Sequence, residues 1–200
     1  MIIHSELKQG TVEWLELRLG KFTGSDAKVL NSKGLGFESL CFEKAGEIIT
    51  GKIQEEGFIS ADMLRGRELE PVARAMYELQ TGSRVTEVGF IQTGEYSGFS
   101  PDGLVGDDGI IEIKCPGDRV FIEYAHRFIE KINPSHMAQM QWAMLDSGRS
   151  WVDYVIYNPN IMGKLLIKRI NRDDKMCSEL EASKARGIEM VQQIIKRIKE

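Results

Sequence analysis

Asp102, Glu112 and Lys114 fall within one short stretch. Ser100-Pro101-Asp102-Gly103 is followed, after the turn Gly106-Asp107-Asp108-Gly109, by Ile110-Ile111-Glu112-Ile113-Lys114. Alternate side chains of a strand share a face, so Glu112 and Lys114 project together and Ile111 and Ile113 point the other way. Asp102 lies on the preceding strand, and a hairpin folds it back beside Glu112. Two carboxylates meeting at one spot repel unless a cation sits between them. Oxygen-only ligands select Mg²⁺ or Mn²⁺ over zinc. A lysine beside them can orient or deprotonate a water, or stabilise negative charge developing on a phosphoryl group. The competing reading is a surface hairpin with scattered charges, which a bare Glu-x-Lys would satisfy.

A second constellation runs from Trp14 to Ser25. Ser25 follows Thr23-Gly24 where a second helix begins, so it reads as an N-cap whose hydroxyl and neighbouring free N–H groups suit an anion. Arg18 precedes it by one short loop and can make a bidentate phosphate contact. A cap without a ligand is the simpler role for Ser25. His4, His126 and His136 form no local ligand pattern; Trp142, Met144 and Cys115 read as core.

The elements that must hold these residues follow from periodicity and turn residues. Thr11 to Leu19 reads as a helix capped by Thr11 and ended at Gly20. Phe37–Ile49 and Ala61–Leu79 read as further helices, the second kinked or restarted at Pro71. Strands are expected over Val85–Ile91, Ser97–Val105, Ile110–Lys114, Trp151–Tyr157 and Lys164–Ile170. Helices are expected over Arg119–Ile132, Pro134–Leu145 (with Pro134 at N1) and Asp173–Lys199. This order predicts an α/β fold with a mixed central β-sheet flanked by helices, in a single domain over residues 1–200.

Composition sets the remaining bounds. The chain has 200 residues, 42% of them apolar and 28% charged, with a net charge of −4. That composition disfavours disorder and coiled coil. The acidic balance lacks the strongly basic footprint of many nucleic-acid binders. The three cysteines, Cys41, Cys115 and Cys177, are widely spaced without a CxxC pair, which argues against a disulfide framework or zinc site. No apolar run is long enough to span a membrane, and the first residues lack a signal-peptide core, so a cytoplasmic protein is expected.

The Asp-turn-Glu-x-Lys string resembles the PD-(D/E)xK nuclease superfamily. Within it, the sequence is similar to the lambda exonuclease and YqaJ-type phage recombinase family. The likeness rests on Trp14-Leu15-Glu16-Leu17-Arg18-Leu19-Gly20 with Thr23-Gly24-Ser25, Gly66-Arg67-Glu68-Leu69-Glu70, Ser100-Pro101-Asp102-Gly103-Leu104, Glu112-Ile113-Lys114-Cys115-Pro116 and Met137-Ala138-Gln139-Met140-Gln141. It implies a restriction-endonuclease-like nuclease fold. It also implies that Asp102, Glu112, the Ile113 carbonyl and Glu70 hold the metal, with Lys114 and Gln139 completing the catalytic set. Glu70 alone would also read as a solvated helix glutamate. Arg18, Ser25 and Ser100 would hold a DNA 5′-phosphate, with Arg119 as fourth member at a spacing from Lys114 one residue shorter than the family pattern.

The implied activity is a Mg²⁺-dependent 5′-to-3′ exonuclease using two metal ions per site, for which Mn²⁺ can substitute. It would digest linear double-stranded DNA to 3′ overhangs for recombination by strand annealing. The implied partners are DNA ends bearing a 5′-phosphate, two further copies in a trimeric ring, and a single-strand annealing protein. Arg65, Arg67, Arg74 and Lys131 are candidates to face a ring channel. The alternatives on the same fold are an endonuclease of restriction or repair type, and a catalytically inactive DNA-binding protein.

Overall fold

A computed structural model describes residues 1–52, 61–127, 130–161 and 165–200, with 61–63 described as backbone only. Three strands, β1 (Ile2–His4), β3 (Phe90–Gln92) and β4 (Gly98–Phe99), form a small antiparallel sheet in the order β1-β3-β4. The main sheet has the order β2 (Val85–Thr86), β5 (Gly103–Val105), β6 (Gly109–Lys114), β7 (Trp151–Tyr157) and β8 (Leu165–Asn171). It is mixed: β6 and β7 are parallel and the other neighbours antiparallel. A parallel pair needs a long crossover, and α5 (Asp118–His126) and α6 (Pro134–Ser147) supply it.

Each face of the main sheet has its own apolar cluster. Ile110, Val152, Tyr154 and Ile156 pack with Met140 and Trp142 of α6 and with Leu180 and Val191 of α7 (Asp174–Lys199). Ile111, Ile113, Val155 and Tyr157 pack with Ala73 and Tyr77 of α4 (Ala61–Thr81). Alternation along β6 thus places Ile111 and Ile113 against α4, and Glu112 and Lys114 on the α6 side. The remaining helices are α1 (Val12–Arg18), α2 (Ala27–Leu30) and α3 (Leu35–Thr50), with a 3₁₀ turn at Gly24–Asp26 before α2.

Several expectations from sequence change in detail. The strand expected over Val85–Ile91 divides into β2 and β3, which belong to different sheets. The break falls at Gly89, where a Cβ would lie 2.0 Å from the Leu7 carbonyl oxygen, so only glycine lets the N-terminal segment pass so closely. The strand expected over Ser97–Val105 divides into β4 and β5 around Ser100-Pro101-Asp102, where Pro101 has no N–H for a ladder. Asp102 therefore lies in the corner before β5, not on a strand. α4 runs through Pro71 as one helix: burial of Ala73 and Tyr77 on the sheet outweighs the local proline penalty, about 3 kcal/mol. α5 ends at His126, short of Ile132; residues 128–129 and the expected strand start at Lys164 lie outside the described residues.

One buried charge ties β7, β8 and α4 together. Asp153 is 3% exposed. It accepts two hydrogen bonds from Arg169 at 2.8 Å and one from the Tyr77 hydroxyl at 2.7 Å. Arg169 also stacks on Trp151 at 3.6 Å. In Asp153→Ala the half-exposed guanidinium can turn to water, but the buried Tyr77 hydroxyl cannot. The expected loss is about 2–3 kcal/mol, read as a lower urea midpoint with an unchanged slope.

Candidate active site

The corner at Ser100-Pro101-Asp102 sets the site's geometry. The β5–β6 ladder ends at Gly103↔Ile111, leaving the last residues of β6 without a strand neighbour on that side. Asp102 fills the gap: its Oδ2 accepts the Ile113 N–H at 2.6 Å. In a strand, the N–H and C=O of one residue point to the same side, so the Ile113 carbonyl also faces Asp102. Glu112 is 5% exposed and its Oε1 lies 2.6 Å from Lys114 Nζ. The approach lacks the angle of a hydrogen bond, leaving Oε1 buried without a directional donor. Glu70 reaches the same cavity from α4.

Three carboxylates at close quarters shift one another. Burial pushes the Asp102 carboxyl well above its ordinary range, with further upward contributions from Glu112 and Glu70. Burial also raises Glu70, against the pull of Arg74. Burial works to lower the Lys114 ammonium, but Glu112 and Asp102 outweigh it and hold its pKa above normal. Two cations are drawn into this negative site: Lys114 against Glu112, and Arg74, which meets Glu70 at 2.5 Å, Glu87 at 2.8 Å and the Asp102 carbonyl at 2.9 Å. Among the described residues, no three His, Cys, Asp or Glu side chains close on one point as a finished metal site. The donor set still suits a hard cation: Glu112 Oε1 lacks a directional partner, the Ile113 carbonyl faces the gap, and the carboxylates Glu70, Glu87, Asp102 and Glu112 outnumber the cations Lys114 and Arg74.

Glu70, Asp102, Glu112, Ile113 and Lys114 line one cavity of about 620 Å³, which also takes in Arg18, Ser25, Ser100, His136 and Gln139. Gly24 brings the 3₁₀ turn against α6, since a Cβ there would lie 3.1 Å from Gln139 Cγ. Ser25 is not the cap expected from sequence. Thr23 takes that place, its N–H and hydroxyl both donating to Asp26 Oδ2, at 2.9 and 3.1 Å. Ser25 sits exposed within the turn, its Oγ 3.0 Å from Thr23 Oγ1. Arg119 does not join the cavity: it is exposed on the first turn of α5, and its neighbour Val120 is the lining residue. Arg74, a candidate for an open channel, is instead enclosed by its two glutamates. Gln141 caps the turn into α7 through Asp173 N and Asn171 O, leaving Gln139 as the cavity glutamine.

Some cavity residues had no assigned role from sequence. Trp14 donates from Nε1 to Ser100 Oγ at 2.8 Å and to the Gly89 carbonyl at 3.1 Å, and Arg18 lies over its ring at 4.1 Å. The Trp14-x-x-x-Arg18 spacing, one helical turn, was the available signal. His136 Nδ1 lies 2.6 Å from the Tyr154 hydroxyl, which lies 3.2 Å from that of Tyr124. Burial and the nearby Lys114 ammonium push the His136 imidazole down to about 4, so the ring is neutral at pH 7.

The family model of the YqaJ-like viral recombinase domain matches residues 13–150, which contain every residue lining the cavity except Gln9 and Val152. The chain belongs to that family. It is similar in structure to an alkaline exonuclease from Laribacter hongkongensis, with 38% identity, a TM-score of 0.86, and coverage of 94% of this chain and 96% of that one. The same exonuclease in complex with dAMP gives a TM-score of 0.85 at the same identity and coverage. A phage-related exonuclease from Haemophilus somnus 129PT shares the fold at 18% identity and a TM-score of 0.68, with 89% of this chain and 96% of that one covered. No curated protein sequence matches the chain. The YqaJ-like family and the exonuclease relatives agree with the mixed α/β fold and with a nuclease role.

Proposed function

We propose that this YqaJ-family chain is a Mg²⁺-dependent 5′-to-3′ exonuclease that digests linear double-stranded DNA to leave 3′ single-stranded overhangs. One observation carries the reading: the acidic groups with Lys114 and the group of Arg18, Ser25 and Ser100 share one cavity. Arg18 forms no ion pair with a carboxylate among the described residues; its one polar contact is Thr23 Oγ1 at 3.4 Å. Burial lowers its pKa from the ordinary arginine value, against the raising influence of Asp26 and Glu47. A guanidinium held in this way is suited to a terminal phosphate, with Ser25 and Ser100 offering hydroxyls beside it. The likeness to an alkaline exonuclease with which dAMP has been captured fits a mononucleotide product.

Asp102, Glu112 and the Ile113 carbonyl would hold the metal, with Glu70 serving a second ion or its water. When bound, the metal supplies activation of water and stabilisation of the leaving 3′ oxygen, with Mn²⁺ able to substitute. Lys114 lies where it can orient the attacking water or offset charge on the phosphoryl oxygens, and Gln139 lines the same cavity. Arg119 has no place in this reading. Digestion of linear duplexes bearing 5′-phosphate or 5′-hydroxyl ends, in Mg²⁺ or in EDTA, tests it. Mg²⁺-dependent release of mononucleotides from 5′-phosphate ends is expected. Nicking of closed circular DNA would favour an endonuclease, and no hydrolysis in Mg²⁺ a DNA-binding protein.

The same reading includes one nuclease domain over 1–200, cytoplasmic location and a single-strand annealing partner. No helix of the described residues is long and apolar enough to cross a membrane. It also includes a trimeric ring: a net charge of −4 gives little long-range electrostatic hold on DNA, whereas encirclement retains a duplex at any salt concentration. Light scattering at micromolar concentration should give three times the chain mass of 22.6 kDa. A monomeric mass with processive digestion overturns the ring.

A further inference from the structure

We infer that Trp14 is a positioning residue for the end-binding half of the cavity, setting the hydroxyl of Ser100 and the guanidinium of Arg18 together; this rests on the end-binding reading above. The indole has a single donor, Nε1–H, shared between the Gly89 carbonyl at 3.1 Å and Ser100 Oγ at 2.8 Å. Because Ser100 Oγ accepts this bond, its own proton remains free to be donated. Gly89 is fixed against the Leu7 backbone, so the indole is anchored to rigid main chain on one side of its N–H and to Ser100 on the other. The ring face carries Arg18 at 4.1 Å. Trp14 and Arg18 are one turn apart on α1, whose first turn is held by the Thr11 cap, with Thr11 Oγ1 accepting the Trp14 N–H at 3.3 Å. One side chain therefore aims a donor at Ser100 with its edge and holds a cation with its face, on a cavity wall that Trp14 itself lines. Edge and face separate by substitution. Phenylalanine keeps the face for Arg18 and loses the N–H, and leucine loses both.

The test measures kcat/KM on 5′-phosphate and 5′-hydroxyl duplexes and takes their ratio as selectivity for the phosphate. Trp14→Phe is expected to lower the ratio about tenfold, the size of one lost hydrogen bond. Most of the change should appear in KM. Ser100→Ala should do the same, and the double variant should be no worse than either single one, because the indole acts through the hydroxyl. Trp14→Leu should fall further, since Arg18 also loses its support. Trp14→His, which keeps a ring N–H, should recover part of the loss. Circular dichroism of each variant confirms folding. Selectivity lost in Ser100→Ala but kept in Trp14→Phe overturns the inference alone, as do single losses that multiply in the double variant. If the unsubstituted protein has no preference for 5′-phosphate ends, the end-binding reading fails and the inference fails with it.

Discussion

Asp102→Asn, Glu112→Ala and Lys114→Ala are each expected to lower kcat on linear duplex DNA by at least about 100-fold, the upper end of losses seen when even outer contacts of a metal site are removed. Asp102→Asn separates catalysis from folding. The asparagine carbonyl can still accept the Ile113 N–H that Asp102 Oδ2 accepts at 2.6 Å, so the corner before β5 should persist. The substitution also removes a carboxyl that burial, Glu112 and Glu70 hold above its ordinary pKa. For a carboxyl raised in this way, the stabilising contribution is present below the unfolded-state pKa and is lost as pH rises through the folded-state value. At neutral pH without metal, Asp102 therefore opposes folding. Asp102→Asn should raise the thermal midpoint in EDTA at pH 7 while abolishing cleavage, and the gain should shrink as the pH is lowered. Full activity in Asp102→Asn, or a lower midpoint in EDTA, would contradict this account of the site.

Arg18→Ala is expected to reduce the preference for 5′-phosphate over 5′-hydroxyl ends by about 10- to 100-fold, the range for losing a hydrogen bond to a charged group. The structure motivates a large value. The guanidinium is held over Trp14 at 4.1 Å, forms no ion pair with a carboxylate among the described residues, and reaches only Thr23 Oγ1 at 3.4 Å. Its strongest partner is therefore expected to be the substrate. The measurement is the ratio of kcat/KM on the two kinds of end, so that a general loss of folding or DNA affinity cancels. Equal losses on both ends would make Arg18 a general backbone contact. Arg18→Lys should recover charge without the fork and fall between the two.

The central strands and the long helices were legible because their signals are local. Alternation over Ile110–Lys114 places Ile111 and Ile113 against α4 and Glu112 with Lys114 on the opposite face, as the structure has it. Trp151–Tyr157 matches β7 residue for residue, and Pro134 at the first helical position marks α6. Thr11 caps α1 as its position predicts, and Asp173, expected as the first residue of the last helix, is its cap. The meeting of Asp102 with Glu112 was also foreseeable, since a hairpin brings the residues flanking its turn together.

What the local pattern could not supply was decided by packing between distant segments. Val85–Ile91 reads as one strand, but Leu7 crosses at Gly89 and divides it between two sheets. Ser25 reads as the cap, but Asp26 Oδ2 turns back on Thr23 and leaves Ser25 exposed in the turn. Pro71 reads as a break, yet burial of Tyr77 carries the helix past it. By sequence, Arg74 is a candidate for an open channel and Arg119 a candidate for the 5′-phosphate group. Tertiary structure encloses the first between Glu70 and Glu87 and leaves the second exposed beside the cavity. Residue identity and spacing thus determined which chemical groups this protein has and which strand face carries them. Side-chain roles that depend on residues far apart in the chain, such as Trp14 with Ser100 or Arg74 with Asp102, were fixed only when folding chose one set of long-range contacts among many of similar local energy.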